Sequence, residues 1–365
     1  MQIFSRKYWT PRRLLTLVAG AIFAALIFFN VEVVVGAIKQ LADTNLAIFL
    51  LVPSSFALSY LCIANYYHYF FKAFNKKTSI KQLYKLVFAL NFVNQILPSG
   101  GLSGTTYFLY GVDKTRKKIP AGLATFSHFG RYIFAYISYF FVLAGAFLFL
   151  RFGSDSLTTK FLNEGFMLVG INFTGRTLIT SLVVGSTILI FAVFYIISKE
   201  SRVDKTVGSM GRVIDWVGRK FRSGKPIFGE QSIRRTTKDF HKSFQKLRSN
   251  RKHLLAPAAF MILSTTFEVL VVYFSYLAVG ATINPGIIMV TFAVANVAGV
   301  ISVIPGDVGV HETVMVVMLS LAGVEKEVAL SGALLYRVLA KYLFTSIGFY
   351  YYNQILKPPK TAKST

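Results

Sequence analysis

The chain is poor in cysteine, tryptophan and acid. A single cysteine, Cys62, stands among 365 residues, which excludes a disulfide framework and a thiolate metal cluster and leaves a buried, inert thiol as the expected state. The five histidines are scattered. No His/Cys metal spacing, nucleotide-binding loop or Ser-centred elbow is present, so no catalytic activity, metal or cofactor is expected. Aspartate and glutamate number 15 against 40 lysines and arginines, for a net charge of +25. In a soluble protein that excess would suggest nucleic acid; here its placement argues otherwise, and nucleic acid is not an expected partner.

What the chain has instead is apolar length. It is 54% hydrophobic, 15% aromatic and 15% charged, with runs too long for a soluble core, so it reads as an all-α, polytopic membrane protein. Arg12 and Arg13 precede an apolar run from Leu14 to Phe29 without a convincing small-residue cleavage site, so the first helix is expected to be retained. Of the 40 Lys and Arg, 32 fall in residues 6–13, 72–85, 114–118, 199–252 and 357–363. Positive charge flanking spans marks the cytoplasmic side. All five clusters, and both termini, are therefore placed in the cytoplasm of a cell-membrane protein.

Threading the chain through these constraints predicts six spanning helices, at about 14–38, 46–71, 119–150, 177–198, 254–280 and 328–356. Residues 86–112 are apolar yet flanked by basic clusters on both sides, and their halves are too short for two ordinary spans. A re-entrant hairpin from the cytoplasm satisfies both facts. Residues 286–323 repeat the pattern with weakly charged, acidic-leaning ends, which predicts a second hairpin from the opposite face; two ordinary spans remain the alternative there. Helix two, hairpin one and helix three then relate to helix five, hairpin two and helix six as an inverted repeat within one domain over 1–365.

Each hairpin breaks at a proline-led, glycine-rich turn. The first is Pro98-Ser-Gly-Gly-Leu-Ser-Gly104, with Gly100 and Gly101 at its centre and Arg131 downstream. The second is Pro305-Gly-Asp-Val-Gly-Val-His-Glu312, containing Gly306, Asp307 and Gly309, with Arg337 downstream. Broken helices in corresponding positions of two halves point to a transporter's substrate site. Glycine permits close backbone approach and proline ends the leading half-helix. The following half-helix aims its positive dipole end at the mid-membrane, where it can hold an anion.

Ionisable residues within the predicted hydrocarbon region are candidates for the site. Arg131 and Arg337 lead, because arginine grips phosphate through paired hydrogen bonds. An ion pair with Glu268 or Asp307 is the competing role for either arginine. Glu268 is a candidate counter-charge, and Asp307 could cap the second half-helix. Glu268, Asp307 and Glu312 are candidate proton carriers. His128 reads as a packing residue, and Lys341 could snorkel or join the cluster. In 199–253, apolar residues at helical spacing (Val203, Val207, Met210, Ile214, Val217, Phe221) among 16 basic residues suggest interfacial helices on anionic lipid headgroups.

The stretch Ala295-Asn-Val-Ala-Gly-Val-Ile-Ser-Val-Ile-Pro-Gly-Asp-Val-Gly-Val-His-Glu312, followed by Leu-Leu-Tyr-Arg337, resembles the lysylphosphatidylglycerol synthase transmembrane, or flippase-like, family. The Pro98–Gly104 region resembles its first-half motif less closely. In the synthases this domain moves an aminoacylated phospholipid and a fused soluble domain makes it. With Thr365 eight residues past Lys357, the resemblance implies a stand-alone flippase-like protein without that fused domain. The expected function is translocation of an anionic or modified phospholipid, or a polyprenyl-linked lipid, by alternating access. The rival is a non-transporting scaffold whose partner is an envelope lipid-modifying enzyme or glycosyltransferase.

Overall fold

A computed structural model describes residues 46–96, 102–114, 119–164, 166–168, 171–199, 201–202, 205, 242–245, 247, 252–302 and 304–356. The expected first helix, Pro98, Gly100 and Gly101 of the first turn, and most of the basic segment 199–253 lie outside them.

The described chain is helical apart from a three-residue antiparallel ribbon, β1 (Phe166–Leu168) and β2 (Ile171–Phe173). Five helices are long and apolar enough to cross a membrane. They are α1 (Leu46–Ala73), α4 (Ala121–Phe152), α6 (Gly175–Ile197), α7 (Lys252–Ala278) and a final span over Lys326–Leu356. That span is α10 (Lys326–Tyr336), a π-helical turn (Arg337–Tyr342) and α11 (Leu343–Leu356). A short α5 (Ser156–Asn163) joins α4 to the ribbon.

Both hairpins are present as pairs of short helices. The first comprises α2 (Ile80–Ile96) and α3 (Leu102–Lys114); the second comprises α8 (Pro285–Ile301) and α9 (Val310–Leu321). At 1.5 Å per residue they measure roughly 18–26 Å, short of a ~30 Å hydrocarbon core. The alternative of two ordinary spans is therefore not favoured by length. Helix α2 starts six residues before the expected 86, because its first turns are amphipathic. Leu83 and Leu86 are buried while Lys81 is exposed, so a search for unbroken apolar runs misses the helix start.

The two halves pack with reciprocal partners. Helices α1 and α7 form the central pair. They run antiparallel, since Ser59 meets Ser264 while Tyr69, further along α1, stacks on Phe260, earlier in α7. Small serines at the crossing let the backbones approach closely. Around this pair the leading helix of each hairpin packs on the closing span of the other half, α2 on α11 and α8 on α4. The trailing helices stay local, α3 on α4 and α9 on α10. Hydroxyls within the spans return their hydrogen to a carbonyl in the preceding turn, as Thr265 does to Met261 and Ser275 to Val271, so they cost little in an apolar setting.

Candidate functional site

The site is built where the tip of the second hairpin meets the end of α2. The second tip is a short 3₁₀ turn, Pro305–Asp307, which packs against the end of α2. Gly306 lies there at φ +65°, and a Cβ on it would come 2.6 Å from the Gln95 side-chain oxygen. Two further residues, Asp307 (φ +51°) and Gly309 (φ +82°), are also left-handed. Glycine is the residue that adopts this backbone without penalty; Asp307 does so while held by other groups.

Those groups belong to Arg337. Its side chain is buried and spends its donors on the second hairpin. Nε donates to Glu312 Oε1. Nη1 donates to the Gly306 carbonyl at 2.9 Å and to Asp307 Oδ1 at 3.3 Å, and Nη2 donates to the Asp307 carbonyl at 3.2 Å. Four hydrogen bonds thereby engage all three guanidinium nitrogens. Glu312 is equally committed, because its Oε2 accepts from the Gly309 N–H at 2.8 Å and closes the open end of α9. The capping expected of Asp307 falls to Glu312 instead. Asp307 sits before the glycine that starts the helix, too early to reach the orphan N–H groups, and it pairs with Arg337.

Glu268 lies elsewhere. Its carboxylate accepts from Ser59 at 3.1 Å across the α1–α7 crossing and interacts electrostatically with Lys341 and Arg131 without reaching ion-pair distance of either. The expected Glu268–Arg337 pair is not formed. Arg131 has its guanidinium 5.0 Å from the Tyr132 ring, and its Nε is buried without a hydrogen-bond partner. One turn earlier His128 is fully buried, with Nδ1 bonded to the Tyr67 hydroxyl at 2.8 Å and its ring stacked on Phe108; its Nε2 has no partner. Gly104 is a close-approach point, as a Cβ there would collide with the Asn94 side chain of α2.

A cavity of about 340 Å³ lies between α9 and α10, lined by Val316, Val317, Leu330 and Leu334 together with Glu312, Arg337 and Tyr342. The Tyr342 hydroxyl is buried without a partner. Among the described residues no cluster of His, Cys, Asp and Glu could hold a metal ion.

Sequence reasoning did not pick out Gln95, Asn94, Ser59, Tyr67 or Tyr342. Polar residues in apolar runs were the available signal for the first two. Tyr342 carried none, since aromatic residues are frequent throughout this chain.

The family described as the lysylphosphatidylglycerol synthase TM region matches residues 14–348. The UPF0104 membrane protein MJ1595 of Methanocaldococcus jannaschii is 23% identical over 313 residues, covering 86% of each chain. A UPF0104 membrane protein of Methanothermobacter thermautotrophicus is 23% identical over 172 residues, 47% of this chain and 50% of that protein. A third, PH1989 of Pyrococcus horikoshii, is 26% identical over 111 residues, 30% of this chain and 33% of its own. With five described helices of membrane-spanning character and a match running through both hairpins, this multi-pass membrane protein belongs to the lysylphosphatidylglycerol synthase transmembrane-region family.

Proposed function

We propose that the protein moves a lipid with an anionic or otherwise modified headgroup, a phospholipid or a polyprenyl-linked lipid, between the leaflets of the cell membrane, with both termini in the cytoplasm. The observation that carries this reading is the contact of the second hairpin's tip with the end of the first hairpin's leading helix, Gly306 against Gln95, inside two halves with reciprocal packing. Halves with reciprocal packing can exchange between arrangements of similar energy that open to opposite faces. The cavity between α9 and α10 suits such a cargo. Its Val and Leu lining matches an acyl chain.

The test is a proteoliposome assay with headgroup-labelled phospholipids and polyprenyl phosphates, read by a membrane-impermeant quencher. Protein-dependent loss of the protected inner-leaflet signal is the expected result. A signal that decays at the rate of protein-free vesicles for every lipid class would overturn the reading.

A further inference from the structure

The two arginines occupy matching places in the repeat but keep different company. We infer that Arg131 belongs to an anion site that takes the phosphate of a membrane lipid, and that Arg337 sits in the same site permanently filled by the protein's own carboxylates. This rests on the translocase reading above and names the residue that holds the cargo's headgroup.

Matching Pro98 to Pro305 sets Gly100 opposite Asp307 and Thr105 opposite Glu312, and brings Arg131 within one residue of Arg337. In the second repeat both acids are present and both bind the arginine. The first repeat has the arginine and neither acid. The local frame is nonetheless similar, since a histidine-containing ring stack ties the trailing helix to the next long helix in each half. It is His311 on Tyr336 at 5.1 Å in one and Phe108 on His128 at 4.8 Å in the other. From that second stack, one turn back along α3 is Thr105 and one turn on along α4 is Arg131, whereas Glu312 and Arg337 directly follow the residues of their own stack; the pairing of Thr105 with Arg131 rests on the sequence match.

Arg131 also shows what is missing. Among the described residues no carboxylate reaches ion-pair distance of it. Its buried Nε and the buried Nε2 of His128, one turn away on the same helix, both lack a hydrogen-bond partner. Tyr132 engages the guanidinium in part, and leaving the rest of a buried cation without a counter-group is costly. Glu268 offsets part of its charge from a distance while bonded to Ser59. Residues 131–137 of α4 all keep partial exposure, so the arginine is reachable. A phosphate oxyanion matches the planar fork that Glu312 and Asp307 satisfy in the other half.

The experiment uses the full chain in a non-ionic maltoside, titrated with dioleoylphosphatidylglycerol, dioleoylglycerol and inorganic phosphate, with binding read by native mass spectrometry and melting temperature measured alongside. Phosphatidylglycerol should bind and diacylglycerol should not. Arg131→Gln should weaken phosphatidylglycerol binding roughly 10- to 100-fold, the range of a lost charge-assisted contact, and Arg131→Lys should fall between. Thr105→Glu supplies the missing carboxylate, and should both block lipid binding and raise the melting temperature. Unchanged lipid affinity in Arg131→Gln and Thr105→Glu overturns the site, and inorganic phosphate binding as tightly as the lipid overturns the assignment to lipid. Binding intact in protein that moves no lipid in vesicles would instead sink the translocase reading and leave the site standing.

Discussion

Arg337 is bonded to Glu312, Asp307 and two carbonyls of the turn, so its removal would strand carboxylates in the bundle. Arg337→Gln should therefore lower stability by about 3–5 kcal/mol, seen as an early melt in detergent. Removing Glu312 as well should recover part of that loss, because the uncompensated charge disappears; removing Glu268 should recover none, as its hydrogen bond goes to Ser59. Arg337→Lys keeps the charge but cannot reach three groups of the turn at once, and should fall between. That acids near the second turn would meet an arginine was legible from their rarity in apolar sequence. Which acid meets it was not. Glu268 and Glu312 are both single carboxylates in apolar runs, and the choice is made by the left-handed backbone at Gly306 and Asp307 that folds α9 back toward Arg337.

At the level of elements, the turn glycines differ in kind. Gly309 is left-handed with open space where a Cβ would sit, whereas Gly306 is left-handed and pressed against Gln95. Alanine at Gly309 should cost about 1–2 kcal/mol from backbone strain alone, and alanine at Gly306 should cost more, because α2 must also move. Melting curves of the two variants in one detergent decide it. The π-helical turn over Arg337–Tyr342 adds a residue to the helix, with Leu343 N–H reaching back to Val338. Because the π-turn absorbs that residue, deleting Ala340 should restore α-helical winding with Phe344 and Gly348 still against Phe88, whereas inserting one more alanine there should rotate α11 by about 100° and destabilise the first hairpin.

Outside the spans, Asp155 closes the start of α5 and links it to the second hairpin. Burial works against its charged form, yet hydrogen bonds from the Thr158 hydroxyl and N–H and from Asn284 prevail and hold its carboxyl below the usual aspartate value. Its contribution to stability is thus full above the unfolded value of about 3.9 and is lost as pH falls through the lower native one. Asp155→Asn should flatten that part of the acid response when melting is followed from neutral pH downward.

For the whole molecule, the five described spans and the paired short helices were readable because hydrocarbon thickness sets helix length. What was not readable is how the halves meet. The reciprocal packing of α2 on α11 and α8 on α4 leaves no periodic trace, and the π-turn has no compositional signature. Sidedness is tested directly by single-cysteine labelling, with the native Cys62 buried. Residues 115 and 209 should react from the cytoplasm and residues 156 and 325 from the opposite face. Labelling of residues 76 and 115 from opposite sides would make the first hairpin a true span.

The charges within the bundle have an electrical consequence. Arg131, Arg337 and Lys341 interact electrostatically with Glu268, Asp307 and Glu312, three cations with three anions. Displaced together, this neutral set carries no net charge through the field, although one unbalanced charge would cost about 2.3 kcal/mol per 100 mV. Turnover should therefore be voltage-insensitive for a neutral or zwitterionic lipid. With an anionic lipid, the current across a planar bilayer should report the headgroup's own charge.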